Sequence, residues 1–118
     1  MPDNQPIIYH NPRCSKSREA LKILEDNGHL PEIIEYLSEP HSTDQIRDLI
    51  SMLGISPRDI LRTGEEAYKA LNLADVSISD NDIISAICQY PALLERPIVI
   101  NGQKAVIGRP PVRIIDIL

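Results

Sequence analysis

The chain contains no tryptophan and no phenylalanine, and its aromatic side chains are limited to four tyrosines. A protein so poor in rings lacks the platforms on which single-stranded bases stack. Its core must be built from Ile, Leu, Val and Ala. Cations are also in the minority, with 12 Lys and Arg against 17 Asp and Glu and a formal net charge of -5. That balance excludes the broad basic face needed to grip a phosphate backbone. No nucleic-acid partner is therefore expected, and any bound anion must be met by a local cluster of arginines. Cysteine occurs only as Cys14 and Cys88, with no CxxC pair. This argues against a zinc ribbon or a disulfide framework and for a reducing compartment. No apolar run approaches the length of a membrane span, and the opening MPDNQPII has neither the basic segment nor the apolar core of a secretory signal. A cytoplasmic protein with no membrane association is expected.

What is present suits a soluble globular chain. At 118 residues, 42% hydrophobic and 25% charged, there is room for one core, so residues 1–118 are expected to form a single domain. Ile7, Ile8 and Tyr9 form a strand-like run ending in a His-Asn-Pro turn. Ala20, Leu21 and Leu24 then recur at helical spacing, and Gly28 supplies a left-handed stop. EIIEY, residues 32–36, reads as a second strand, parallel to the first around the helix.

A helical middle follows. Ser42 with Gln45 forms a capping-box pattern ahead of the stripe Ile46, Leu49, Ile50 and Leu53, which Gly54 ends. Ser56 and Pro57 suit the N-cap and first position of a short helix running towards Arg62 and stopping at Gly64. Another short helix is expected over 65–71, and one capped at Ser79 runs to Pro91 with Cys88 on its apolar side beside Ile84 and Ile87. Asn101-Gly102 between two apolar runs is a strong hairpin signal. A last helix, from about Pro111 to Leu118, is expected to present Val112, Ile115 and Leu118 on one side. The sum is an α/β protein of thioredoxin-like type: a mixed sheet of about four strands, helices available to cover both faces, and a helical insert between a βαβ half and a ββα half.

The chemistry gathers at HNPRCSKSR, residues 10–18. A thiol attacks as its thiolate, and helix N-termini and nearby cations depress its pKa from about 8.5 to roughly 3.5–7.5. If a helix starts near Ser15, its free N–H groups face Cys14, and His10, Arg13, Lys16 and Arg18 add positive potential. The same nest could hold a tetrahedral oxyanion. The alternative is an inert, packed cap residue among solvated charges. A phosphatase loop with Arg six residues after the cysteine is excluded by Ala20, and a dithiol site is excluded by Ser17. A one-thiol site remains, able to form a covalent adduct but dependent on electrons from another molecule.

Five stretches, YHNPRCSKSR, LGISPRDILR, LNLAD, ERPIVI and GRPP, together resemble the glutaredoxin-coupled arsenate reductases of the ArsC type from about Ile7 onward. The resemblance implies a thioredoxin-like fold, a cis peptide at Arg96-Pro97, and arsenate reduction to arsenite. It implies that Cys14 is the nucleophile, that Arg62, Arg96 and Arg109 bind the oxyanion, and that His10 and Ser17 support the site. It also implies glutathione as co-substrate and glutaredoxin as partner, with no bound cofactor or metal; a monomer is expected. Guanidinium groups suit the assigned task, since they grip oxyanions through paired hydrogen bonds and keep their charge. On pattern alone, Arg62 could serve only a helix dipole and His10 only a strand end. Ser15-Lys16 replaces the Gly-Thr of well-characterised members, and no required role falls to Arg13 or Lys16. Two other readings stay open: an Spx-like regulator that binds RNA polymerase, although the CxxC switch common among those proteins is missing here, and a monothiol glutaredoxin-like oxidoreductase.

Overall fold

In the computed structural model, residues 5–39 and 41–118 are described; the first four positions of the opening MPDNQPII lie outside them. Ile7–Tyr9 forms strand β1 and Glu32–Ile34 strand β2, joined by helix α1 at Ser15–Asp26. Gly28 takes φ +83°, the left-handed geometry that ends such a helix at least cost. The second strand is shorter than the apolar run: Tyr36 has left the ladder but is fully buried, its ring 6.4 Å from that of Tyr9.

Strands β3, Ile98–Asn101, and β4, Lys104–Ile107, complete a sheet of order β2-β1-β3-β4. The β1–β2 pair is parallel, whereas β1–β3 and β3–β4 are antiparallel. This is the expected mixed four-stranded sheet. The tight loop is Gly102-Gln103, because Asn101 still pairs with Lys104. Asn101 turns its amide to the Ile117 carbonyl at 2.7 Å.

The chain falls into two compact units, one made of the chain up to Glu39 with Arg96–Leu118, the other of the intervening segment up to Glu95. In the first, strand alternation puts Ile8, Val99 and Val106 in one cross-sheet row, and these join Ala20, Leu24 and Ile114 in a buried cluster. Each large aliphatic side chain buried there contributes roughly 1.5–3 kcal/mol. Residues Pro111–Ile117 form a 3₁₀ helix, not the expected face. Pro111 and Ile114 are buried and Ile117 packs on the cluster, while Val112, Ile115 and Leu118 are exposed. Both sets are apolar, and at three residues per turn the 111–114–117 row is the one that meets the core.

In the second unit, α2 (Thr43–Leu53) opens with the full capping box between Ser42 and Gln45 and ends at Gly54 with φ +69°. Its buried face is Ile46, Leu49 and Ile50. Helix α3 covers Glu66–Ala70, and α4, Asp80–Gln89, is capped by the Ser79 side chain. Cys88 is half-buried on α4, and burial pushes its thiol pKa up. The segment expected to run helically towards Gly64 is a 3₁₀ turn ending at Ile60; Leu61 is then extended and bridges antiparallel to Leu94. Arg58 secures the loop before α4 by donating to the carbonyls of Leu73, Asp75 and Ile78 at 2.7, 2.6 and 3.0 Å.

Candidate active site

The loop between β1 and α1 is built by its own short side chains. Asn11 accepts the Arg13 N–H on Oδ1 at 3.0 Å and the Cys14 N–H on its carbonyl at 2.9 Å, the self-bonded turn that asparagine favours. Arg18 closes the far side by donating to the Pro12 carbonyl at 3.0 Å. Neither role had been assigned from the sequence, although Asn two residues ahead of Arg13 in a Pro-containing turn is the signal that could have found the first.

The loop delivers Cys14 to the N-cap of α1 with extended backbone, and no acidic residue occupies the first helical turn to offset the positive helix end. Its thiol makes no capping hydrogen bond of ordinary geometry. Partial burial pushes the thiol pKa up, but the backbone N–H groups of Ser17 and Lys16 and the Arg96 guanidinium outweigh it, so the net shift is downward. Those groups are donors, and they favour the sulfur most when it is an anion.

The ends of the same loop carry a buried polar pair. His10 Nδ1 and Ser17 Oγ are 2.6 Å apart, and Ser17 Oγ also accepts the Asn11 N–H at 3.0 Å. Burial, with a smaller contribution from Arg18, lowers the His10 pKa against the opposing pull of Glu35. With the ring neutral and Oγ already accepting, the pair is satisfied when the hydroxyl proton points to Nδ1 and the ring proton sits on Nε2. His10, Asn11, Pro12 and Arg13 also line an open cleft of about 340 Å³ with Glu35, Leu37 and Ser38.

Arg96 and Arg109 arrive from either end of the β3–β4 hairpin. The Arg96-Pro97 peptide is cis, as the resemblance implied, and so is Arg109-Pro110. Arg109 Nε donates to the Arg96 carbonyl at 2.7 Å. Gly108, between them, is a close approach: a Cβ there would lie 3.0 Å from Pro97 Cγ and 3.2 Å from Ile114 Cδ1. Cys14, His10, Ser17, Arg96 and Arg109 thus belong to one unit. Arg62 belongs to the other, where its Nη1 is 3.0 Å from Glu95 Oε1 and its Nε 3.3 Å from Glu65 Oε2. Arg13 and Lys16 have exposed side chains. Among the described residues, no three His, Cys, Asp or Glu side chains come together as a metal site, and no helix is long and apolar enough to cross a membrane.

A four-stranded sheet in the order β2-β1-β3-β4, with a cysteine of lowered pKa at the N-terminus of the helix after β1, defines a protein of thioredoxin-like fold. Its relatives narrow the class. The ArsC family model matches residues 9–117, and the chain belongs to the ArsC family. It is 50% identical over 115 residues to the uncharacterized protein YfgD of Escherichia coli strain K12, covering 97% of each chain. It is 49% identical over 113 residues to an arsenate reductase of Haemophilus influenzae, covering 95% of this chain and 97% of the other. The solved structure of an arsenate reductase from Vibrio cholerae matches with a TM-score of 0.93 at 44% identity, over 96% of this chain and 97% of that one.

Proposed function

We propose that the protein is an arsenate reductase in which residues 1–118 act as one domain and Cys14 is the nucleophile. The observation that carries this reading is the cysteine itself, placed at the N-cap of a helix, where the backbone N–H groups of Ser17 and Lys16 and the Arg96 guanidinium pull its thiol pKa down. Family membership and the 49% identity to an arsenate reductase support the substrate.

In the proposed sequence, Arg62, Arg96 and Arg109 bind arsenate and balance its charge. The Cys14 thiolate attacks arsenic, an As–O bond breaks, and water leaves once the departing oxygen is protonated. The thiol of glutathione then adds to arsenic as a second As–O bond breaks and a second water leaves, and a glutaredoxin thiol attacks the glutathione sulfur, breaking its As–S bond and leaving that electron pair on arsenic. The two external thiols end as a mixed disulfide and supply the two electrons that take arsenic from the +5 to the +3 state. Hydrolysis of the remaining Cys14–arsenic bond releases arsenite and restores the thiol. His10 and Ser17 hold the loop and its hydrogen bonds in place throughout. No bound cofactor or metal is required, and a cytoplasmic monomer suits the reductants named. Replacing Cys14 with Ser is expected to abolish glutathione- and glutaredoxin-dependent arsenate reduction. Undiminished turnover by that variant would refute the nucleophile.

A further inference from the structure

Arg62 is met by two carboxylates on different nitrogens. The segments that carry them are fixed against each other: Arg62 N–H donates to the Leu93 carbonyl at 2.8 Å, Glu95 N–H to the Ile60 carbonyl at 2.8 Å, and Leu61 bridges to Leu94. Glu65 is held on the other side by a turn, its N–H 3.3 Å from the Arg62 carbonyl. The three side chains retain only 23%, 30% and 26% exposure for Arg62, Glu65 and Glu95. These contacts are therefore less screened than an ordinary surface pair.

A guanidinium grips an oxyanion best through two parallel N–H donors, from Nε with one Nη or from the two Nη atoms. Here Nε is engaged by Glu65 and Nη1 by Glu95. Either two-pronged grip must compete with a carboxylate already in place. We propose that Glu65 and Glu95 form a latch on Arg62, an internal competitor that an incoming anion has to displace, and that this latch favours doubly charged tetrahedral oxyanions over singly charged anions. The inference rests on the proposed role of Arg62 as an oxyanion ligand. Glu65 and Glu95 are positioning residues on this view, acting through Arg62.

The test compares wild type with Glu95→Gln, Glu65→Gln and Glu95→Asp, measuring arsenate kinetics and, by calorimetry, the affinity for inorganic sulfate, a tetrahedral dianion that needs no thiol chemistry. Each Gln variant is expected to lower the arsenate KM and the sulfate Kd about fivefold to tenfold, as removal of one partly screened charge implies. Glu95→Asp should restore wild-type values in part. In an Arg62→Met background, Glu95→Gln should leave the Kd unchanged, because the latch acts only through the guanidinium. A merely structural role for the carboxylates would raise KM and Kd in the Gln variants, and that outcome, unchanged values, or absence of sulfate binding in every protein would overturn the latch. Failure of wild type to reduce arsenate, with sulfate affinity still tightened in the Gln variants, would overturn the arsenate reading and leave the latch standing.

Discussion

Replacing Ser17 with Ala removes one oxygen from a fully buried position. That oxygen lies 2.6 Å from His10 Nδ1 and accepts the Asn11 N–H at 3.0 Å. Leaving a buried polar group without its partner costs about 1–3 kcal/mol. Alanine is the better helix former, which returns roughly 0.5 kcal/mol inside α1. The net loss is then about 0.5–2.5 kcal/mol. An unfolding entropy of roughly 2.1 cal/mol/K per residue over this chain turns that into a fall in Tm of about 2–10 °C. Thermal unfolding followed by circular dichroism at pH 7.5 reads this directly. A second readout separates the loop from general stability: because Asn11 also accepts the Cys14 N–H, the variant should show slower alkylation of Cys14 at pH 7 while still fully folded. A Tm within 1 °C of wild type together with an unaltered alkylation rate would show that the pair is incidental and that the loop stands without it.

Three further outcomes are expected. Arg96→Ala should raise the pKa of Cys14, read as a shift to higher pH in the midpoint of its iodoacetamide alkylation; an unmoved midpoint would remove Arg96 from the thiolate environment. Gly108→Ala forces its new Cβ against Pro97 and Ile114 and should destabilise by about 1–3 kcal/mol while raising the arsenate KM, since Arg109 adjoins it; chemical denaturation at wild-type strength would contradict this. His10 titrates below the ordinary 6.5 in the folded protein, so the unfolded chain takes up its proton first as pH falls. The stability it confers is full above about pH 6.5 and is lost as pH drops through the folded value. Denaturant midpoints between pH 5 and 7.5 should show that slope in wild type, and His10→Gln should flatten it.

Local signals were the legible ones. The capping box at Ser42 and Gln45, the left-handed stops at Gly28 and Gly54, and the loop-to-helix junction at Cys14 each depend on residues within one turn of each other, and each appears where its pattern indicated. The closing segment misled because Val112, Ile115 and Leu118 are as apolar as Pro111, Ile114 and Ile117; only packing against Ile8, Leu24 and Val106 chooses between the rows. The Leu61–Leu94 bridge and the Glu95 carboxylate on Arg62 join residues far apart in the chain, and no short pattern announces such a pairing. Arg96 stood out as an arginine ahead of proline, but its approach to Cys14 depends on β3 lying beside β1, a fact of topology.

That strand order also sets when the thiol becomes reactive. One of the two strands paired with β1, β3, comes from the closing stretch of the chain, as does the Arg96 guanidinium that helps lower the Cys14 pKa. A polypeptide still emerging from the ribosome has made Cys14 but not yet Arg96, and its first helix has neither Val99 nor Ile114 to rest on. The nascent sulfur therefore lacks one of the groups that pull its pKa down in the finished fold. A product that stalls or is clipped before Arg96 is expected to carry a less acidic Cys14 thiol than the complete chain, and the last share of its activation arrives with completion of the sheet.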